Sequence, residues 1–371
     1  MVAGLVYVVI AIVIHFAGTN WVNKLMPPVI IGPTVALIGL SLAGAAMSDI
    51  VRTNAPQVNS GYNLIALLCG LITFFTVVIC STQKRWQAPR LFPFILGIGI
   101  GYSFAALFTV LGKAFDVEYL QIINFQPVYD NFFAADGTFK GLTAFVNYPD
   151  FALIEGIKEV VNDKVLLNAG GIAEVVIAFL PVALVVFAEH IADHKNLSTI
   201  VGQDLIEKPG LKRTLLGDGV GSILGTVFGV CPNTTYGESV GCVAITRNAS
   251  VSTITCTAIM CIVLSFLCPV MAVLQTIPSC VMGGVCLTLY GFIAVSGLRM
   301  FKNLDLDDNK NLFVVASILI TGIGGLAIQI PYDIDAAGAV SKFIQITPIA
   351  TALIVGIITN LVLTKVCRTK D

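Results

Sequence analysis

Five residues carry most of the chemistry that this chain can do: Glu189, Asp193, Tyr236, Gly237 and Glu238. The last three sit in Cys231 to Arg247, which reads CPNTTYGESVGCVAITR and lies between two apolar stretches. Its first half cannot be an ordinary membrane helix. Pro232 has no amide hydrogen, Asn233 and two threonines follow, and Gly237 loosens the backbone again. Glu238 then opens a short apolar segment that ends at Thr246–Arg247. An extended piece leading into a half-helix leaves carbonyls and unpaired N–H groups at membrane depth, with an acid at the junction. Secondary transporters build substrate sites near the bilayer midplane from such broken elements.

Glu189 is the second acid. Val175 to Ala188 is apolar for only 14 residues, and a span needs about 20. The helix must therefore run on through Glu189, His190 and Asp193 toward Val201, which carries ionisable groups into the membrane zone. Burial without a cation favours the neutral form of a carboxyl group. A group poised in that way can take a proton on one side of a membrane and release it on the other. Asp193 lies one helical turn beyond Glu189, so the two acids can share or pass a proton. The intervening H-I-A-D-H places His190 and His194 at metal-ligand spacing. A catalytic zinc would still need a third protein ligand, and the only other histidine is His15. No metal or other cofactor is expected, and His190 reads as a polar residue bonded to a neighbouring helix. Asp218, between two glycines, is expected to find water or Arg213.

The elements that must hold these groups are membrane helices. Hydrophobic residues make up 56% of the 371-residue chain and charged residues 12%, with a mean hydropathy of +0.90; soluble domains carry about 25% charged residues. The net charge of -1 argues against nucleic acid as a partner. Met1 leads straight into apolar sequence with no charged region ahead of it, so no signal peptide is expected. Most of the ten cysteines lie in apolar runs without C-x-x-C spacing and read as packing residues. Segments are expected at 2–17, 27–47, 61–81, 92–112, 175–201, 213–231, the broken element, 251–275, 279–299, 310–330 and 346–366, eleven in all. Gly217, Gly221, Gly225 and Gly229 recur every fourth residue and predict a smooth face for a second helix. Residues 113–171 read as an external loop with short structure of its own. Alternating the segments puts Lys84, Arg85, Lys195, Lys212, Arg213, Lys302 and Lys365 on one side, which predicts a cytoplasmic C-terminus in the inner (cell) membrane.

The run TTYGE…G….TR resembles the signature of the nucleobase–ascorbate transporter family, also called nucleobase:cation symporter-2. Its Tyr-Gly-Glu form is similar to the uracil-permease branch, and Ser239 departs from the asparagine usual there. Further matches are PP….G..VA.IGL.LAG near 27–44, ALVV.AEH at 183–190 and IP..VMGGV...LYG...SG.R at 277–299. The resemblance implies an all-α polytopic fold of fourteen spans in two inverted repeats of seven. This chain aligns from the fourth span onward, so three N-terminal spans are expected to be missing and transport by this chain alone is expected to be weak. It further implies a core domain, 1–17 and 172–275, and gate helices, 27–112 and 279–366, with 113–171 extracellular and 367–371 a cytoplasmic tail. Glu189, Glu238 and the backbone of Tyr236 and Gly237 would contact a flat nucleobase, uracil or a related pyrimidine. Glu189, Asp193 and Glu238 would couple its movement to protons, with Na⁺ as the other candidate ion and a homodimer as the assembly. Asp193 stands where a histidine is common in the family. The function implied is uracil:proton symport and not enzymatic. Two rival readings are a non-transporting membrane remnant or partner subunit and an intramembrane metal-dependent hydrolase.

Overall fold

The computed structural model describes residues 1–54, 61–149, 151–162, 169–236, 239, 240, 243, 247–334 and 340–368. Gly237, Glu238, Thr246 and most of the expected half-helix lie outside the described residues. Six helices among the described residues are long and apolar enough to cross a membrane, and three shorter ones are apolar. Each of the ten unbroken segments expected from the sequence has a helix in its place. Many of their apolar side chains are exposed, as on Val251–Ser265, which has no buried residue. In lipid such a face costs nothing, because hydrocarbon is the solvent there.

The chain divides into two compact units. The first holds residues 1–41, 150–240 and 292–371. It contains α1 (Val2–Ala17), α2 (Asn20–Leu25) and the first part of α3 (Pro28–Asp49). The second unit holds residues 42–149 and 241–291. It contains α4 (Leu64–Thr82), α5 (Gln87–Leu91), α6 (Pro93–Ala114) and α7 (Gln126–Phe132). Asn63 caps α4 by accepting hydrogen bonds from the amides of Ile65 and Ala66 at 2.8 and 3.0 Å. Ala66, Cys69, Ala105, Ile122, Cys280 and Val281 form the buried core of this unit. The packing role expected of the cysteines holds for Cys69 and Cys280, both fully buried and free.

The first unit continues with α8 (Ala152–Val161), α9 (Ala169–Val201) and α10 (Leu211–Val227). Within the fourfold glycine row, Gly229, just past the end of α10, makes a close helix contact: a β-carbon there would stand 2.7 Å from that of Ala152 on α8. The close approach to α1 belongs to Gly219, outside the row, which meets Gly4. A β-carbon on Gly4 would stand 2.8 Å from the Gly219 carbonyl, and one on Gly219 would stand 2.9 Å from the Gly4 carbonyl. Gly217 has nothing near it, while Gly221 faces the side chain of Asn233. The row therefore makes room for the broken element at Gly221 and for α8 at Gly229.

Two spans depart from expectation. The stretch 251–275 is not one helix but α11 (Val251–Ser265) and α12 (Cys268–Gln275), which has Pro269 in its first turn. The break falls where proline removes an amide, and the chain before it supplies partners. Asn147 donates its amide to the Phe266 carbonyl at 3.3 Å, and the Cys268 amide donates to the Phe145 carbonyl at 3.0 Å. So part of the 113–171 stretch does local structural work, and it carries α7, α8 and two short 3-10 turns.

The other departure follows α13 (Ser279–Arg299). Helix α14 (Asn309–Ile323) stops short of residue 330 at Gly324–Gly325, where Gly325 adopts φ 74°. The chain then forms an antiparallel hairpin of β1 (Ile328–Ile334) and β2 (Val340–Ile346), with Ile328 opposite Ile346 and Ile330 opposite Ile344. The Ile-Gln-Ile alternation of both strands carries period two, which a hydropathy sum does not register. Helix α15 (Pro348–Arg368) ends the described chain.

Candidate functional site

The site lies in the first unit, where the extended residues 231–236 run beside α9 and α10. Its anchoring begins on α10. Ser222, buried one turn beyond Asp218, accepts a hydrogen bond from the Asn233 amide at 2.9 Å. That bond satisfies one backbone group which the broken helix would otherwise leave without a partner in lipid. The two threonines that follow turn to α9. Thr235 donates its hydroxyl hydrogen to Oδ2 of Asp193 at 2.8 Å, and the Thr234 hydroxyl lies 3.4 Å from Oε2 of Glu189. Neighbouring residues of the extended segment thus reach two acids one helical turn apart, a rise of about 6 Å.

The two acids differ in their surroundings. Asp193 is 6% exposed and firmly bonded, whereas Glu189 is half-buried with a long contact. Tyr236, at the end of the described segment, is 62% exposed.

A second set of polar contacts ties α9 to α10. The fully buried His190 places Nδ1 2.7 Å from Oδ2 of Asp218 and Nε2 2.9 Å from the Thr214 hydroxyl. Asp218 therefore pairs with His190, a partner that the sequence reading did not name. His190 is bonded to a neighbouring helix, as expected. Its ring stacks on His194 at 4.2 Å, and Nδ1 of His194 donates to the His190 carbonyl at 2.8 Å. Both ring nitrogens of His190 are thereby committed inside the protein. From α1, Tyr7 sets its ring edge-on to His190 at 6.4 Å. Its hydroxyl is buried and, among the described residues, has no hydrogen-bond partner.

The structure thus brings Glu189, Asp193 and the segment leading to Tyr236 together, while Gly237 and Glu238 lie outside the described residues. Sequence reasoning missed the contributions of Thr214, Ser222, Thr234, Thr235 and Tyr7. The available signal was a pair of hydroxyl residues in a segment that must satisfy its polar groups within the bilayer.

Residues 1–330 match the permease family. The chain belongs to that family. Family membership makes it a multi-pass membrane transporter and not an enzyme. It is 36% identical over 363 residues to the uracil permease of Bacillus subtilis (strain 168), covering 97% of this chain and 74% of that protein. To the uracil permease of Bacillus caldolyticus it is 35% identical over 365 residues, covering 97% of this chain and 73% of the relative. The uracil permease of Escherichia coli (strain K12) is 31% identical over 335 residues, 89% of this chain and 68% of the relative. The agreement with family membership extends well beyond the Tyr-Gly-Glu signature, and it bears out the resemblance on which the fold class was expected.

Proposed function

We propose that this chain carries uracil, or a closely related pyrimidine, across the inner membrane together with protons. The observation that carries the reading is the pair of threonine contacts that lay the broken element against Glu189 and Asp193. Similar proteins named uracil permeases support the choice of substrate. Uracil offers ring N–H donors and carbonyl acceptors in one plane. A carboxylate accepts from the N–H groups, a protonated carboxyl donates to a carbonyl, and backbone N–H groups of the broken element donate to the rest. Glu189 takes one side of the ring. Glu238, with the backbone of Tyr236 and Gly237, takes the other.

In this scheme protons and uracil load from outside onto Glu189 and Glu238, with Asp193 as a relay one turn away. The core, residues 1–17 and 172–275, then rocks against gate helices 27–112 and 279–366. Proton loss to the cytoplasm releases the base. Neutralising the acids and satisfying the ring at once makes the loaded site cheaper to move past lipid than either half-loaded form. The same proposal has the C-terminus in the cytoplasm and the protein as a homodimer, which crosslinking in membranes tests.

Uptake of labelled uracil into cells lacking their own uracil permease is the direct test, run at acid and neutral pH and with sodium present or replaced. Accumulation that rises with acidity, ignores sodium and disappears in Glu189→Gln supports the scheme. Accumulation that follows sodium instead removes the proton from it, and uptake that Glu189→Gln leaves intact removes the site.

A further inference from the structure

A cluster of polar groups lies away from the acids, where the end of α1 meets the first turn of α10. A pocket of about 300 Å³ opens there, lined by Ile12, His15 and Phe16 from α1 and by Lys212, Arg213 and Leu216 from α10. Nζ of Lys212 lies 3.3 Å from Nδ1 of His15 and donates to it. That contact leaves Nε2 of the imidazole as an N–H donor. No acid stands in the first turn of α10, and among the described residues no carboxylate lies within ion-pair distance of Lys212 or Arg213. Three groups with a donor to offer are thus gathered across two helices, and two of them are cations with no carboxylate partner among the described residues. Such an arrangement favours an anion at this end of α10.

The apolar part of the pocket says which anion. Val9 and Ile12 on α1 continue the groove along an exposed apolar stripe, and Leu216 and Val220 do the same on α10. We propose that this groove binds an anionic phospholipid, its phosphodiester held by Arg213, Lys212 and His15 and its acyl chains lying on the two stripes. Arg213 can take two phosphate oxygens at once, while Lys212 adds a point charge. A free phosphate would meet the same donors but gain nothing from the apolar stripe, and a zwitterionic lipid would bring its own cation into the basic end. Basic residues at the membrane surface favour anionic lipid by about 1 kcal/mol each, which is about fivefold in affinity.

The test uses the full chain purified in a neutral detergent. Binding of phosphatidylglycerol, of phosphatidylcholine with the same acyl chains, and of inorganic phosphate is measured by native mass spectrometry and by thermal stabilisation. Tighter binding of phosphatidylglycerol, weakened about thirtyfold by the double substitution Lys212→Gln, Arg213→Gln and unchanged by Lys302→Gln, is expected. Arg213→Gln alone should weaken it about fivefold, which keeps the question answerable if the double variant does not fold. Equal affinity for the two lipids overturns the proposal, as does phosphatidylglycerol binding that Arg213→Gln leaves unchanged. Inorganic phosphate binding as tightly as phosphatidylglycerol overturns it too, since the groove would then be a free-anion pocket.

Discussion

Asp193 and Glu189 stand one turn apart on α9, yet their neighbours make different tests of them. The Thr235 hydroxyl is the donor that Asp193 keeps inside the protein. Thr235→Val takes that donor away from a buried acceptor and should cost about 1–3 kcal/mol in a denaturation experiment. Thr234→Val removes only a long contact to a half-buried group and should cost less than about 1 kcal/mol. Should the two cost the same, the geometry assigned to the broken element is wrong. Tyr7 provides a test of opposite sign. Its buried hydroxyl has no hydrogen-bond partner among the described residues, so Tyr7→Phe should leave stability within about 0.5 kcal/mol of the parent or raise it. A clear loss would mean that the hydroxyl has a hydrogen-bond partner inside the protein. Glu238 is tested by transport alone. Glu238→Gln should abolish the acid dependence of uracil uptake if that residue carries a proton in the cycle.

At the level of elements, α1, α9 and α10 hold the site, and each junction has its own chemistry. The α1–α10 junction rests on Gly4 and Gly219, whose backbones approach too closely for a side chain. Gly219→Leu should destabilise the protein by about 1–3 kcal/mol or more, seen as a lower melting temperature in detergent. Gly217→Leu, two residues away with nothing near it, should be tolerated. The α9–α10 junction rests on His190 and Asp218. His190→Ala strips a partner from a carboxyl that is 23% exposed and should cost more than Asp218→Asn, which keeps a hydrogen bond to the ring. The reverse order would show that Asp218 finds a better partner elsewhere. The glycine row was only partly legible for a physical reason. Glycine permits close approach without saying what approaches: at Gly229 it is helix α8, through Ala152, and at Gly221 it is the side chain of Asn233.

Across the whole molecule, charge decides orientation. A reporter active only in the cytoplasm, fused after Asp371, should be active, and one inserted near Gly137 should not. Opposite activities would reverse the proposed direction of proton flow. Membrane segments, the two acids on α9 and the interruption at Pro232 were all legible in the chain, because apolar length, helical spacing and proline chemistry are local properties. The end of α14 was not, since a hairpin of alternating isoleucines and a helix turn have the same summed hydropathy. Only the tertiary structure decided which polar groups meet. His190 pairs with Asp218 across 28 residues, and Asp193 with Thr235 across 42. Other polar side chains along the chain could have satisfied either residue. In a bilayer no water fills the gap, so the faces that pack together choose the partner, and that choice is written in contacts between distant parts of the chain rather than in any one stretch of it.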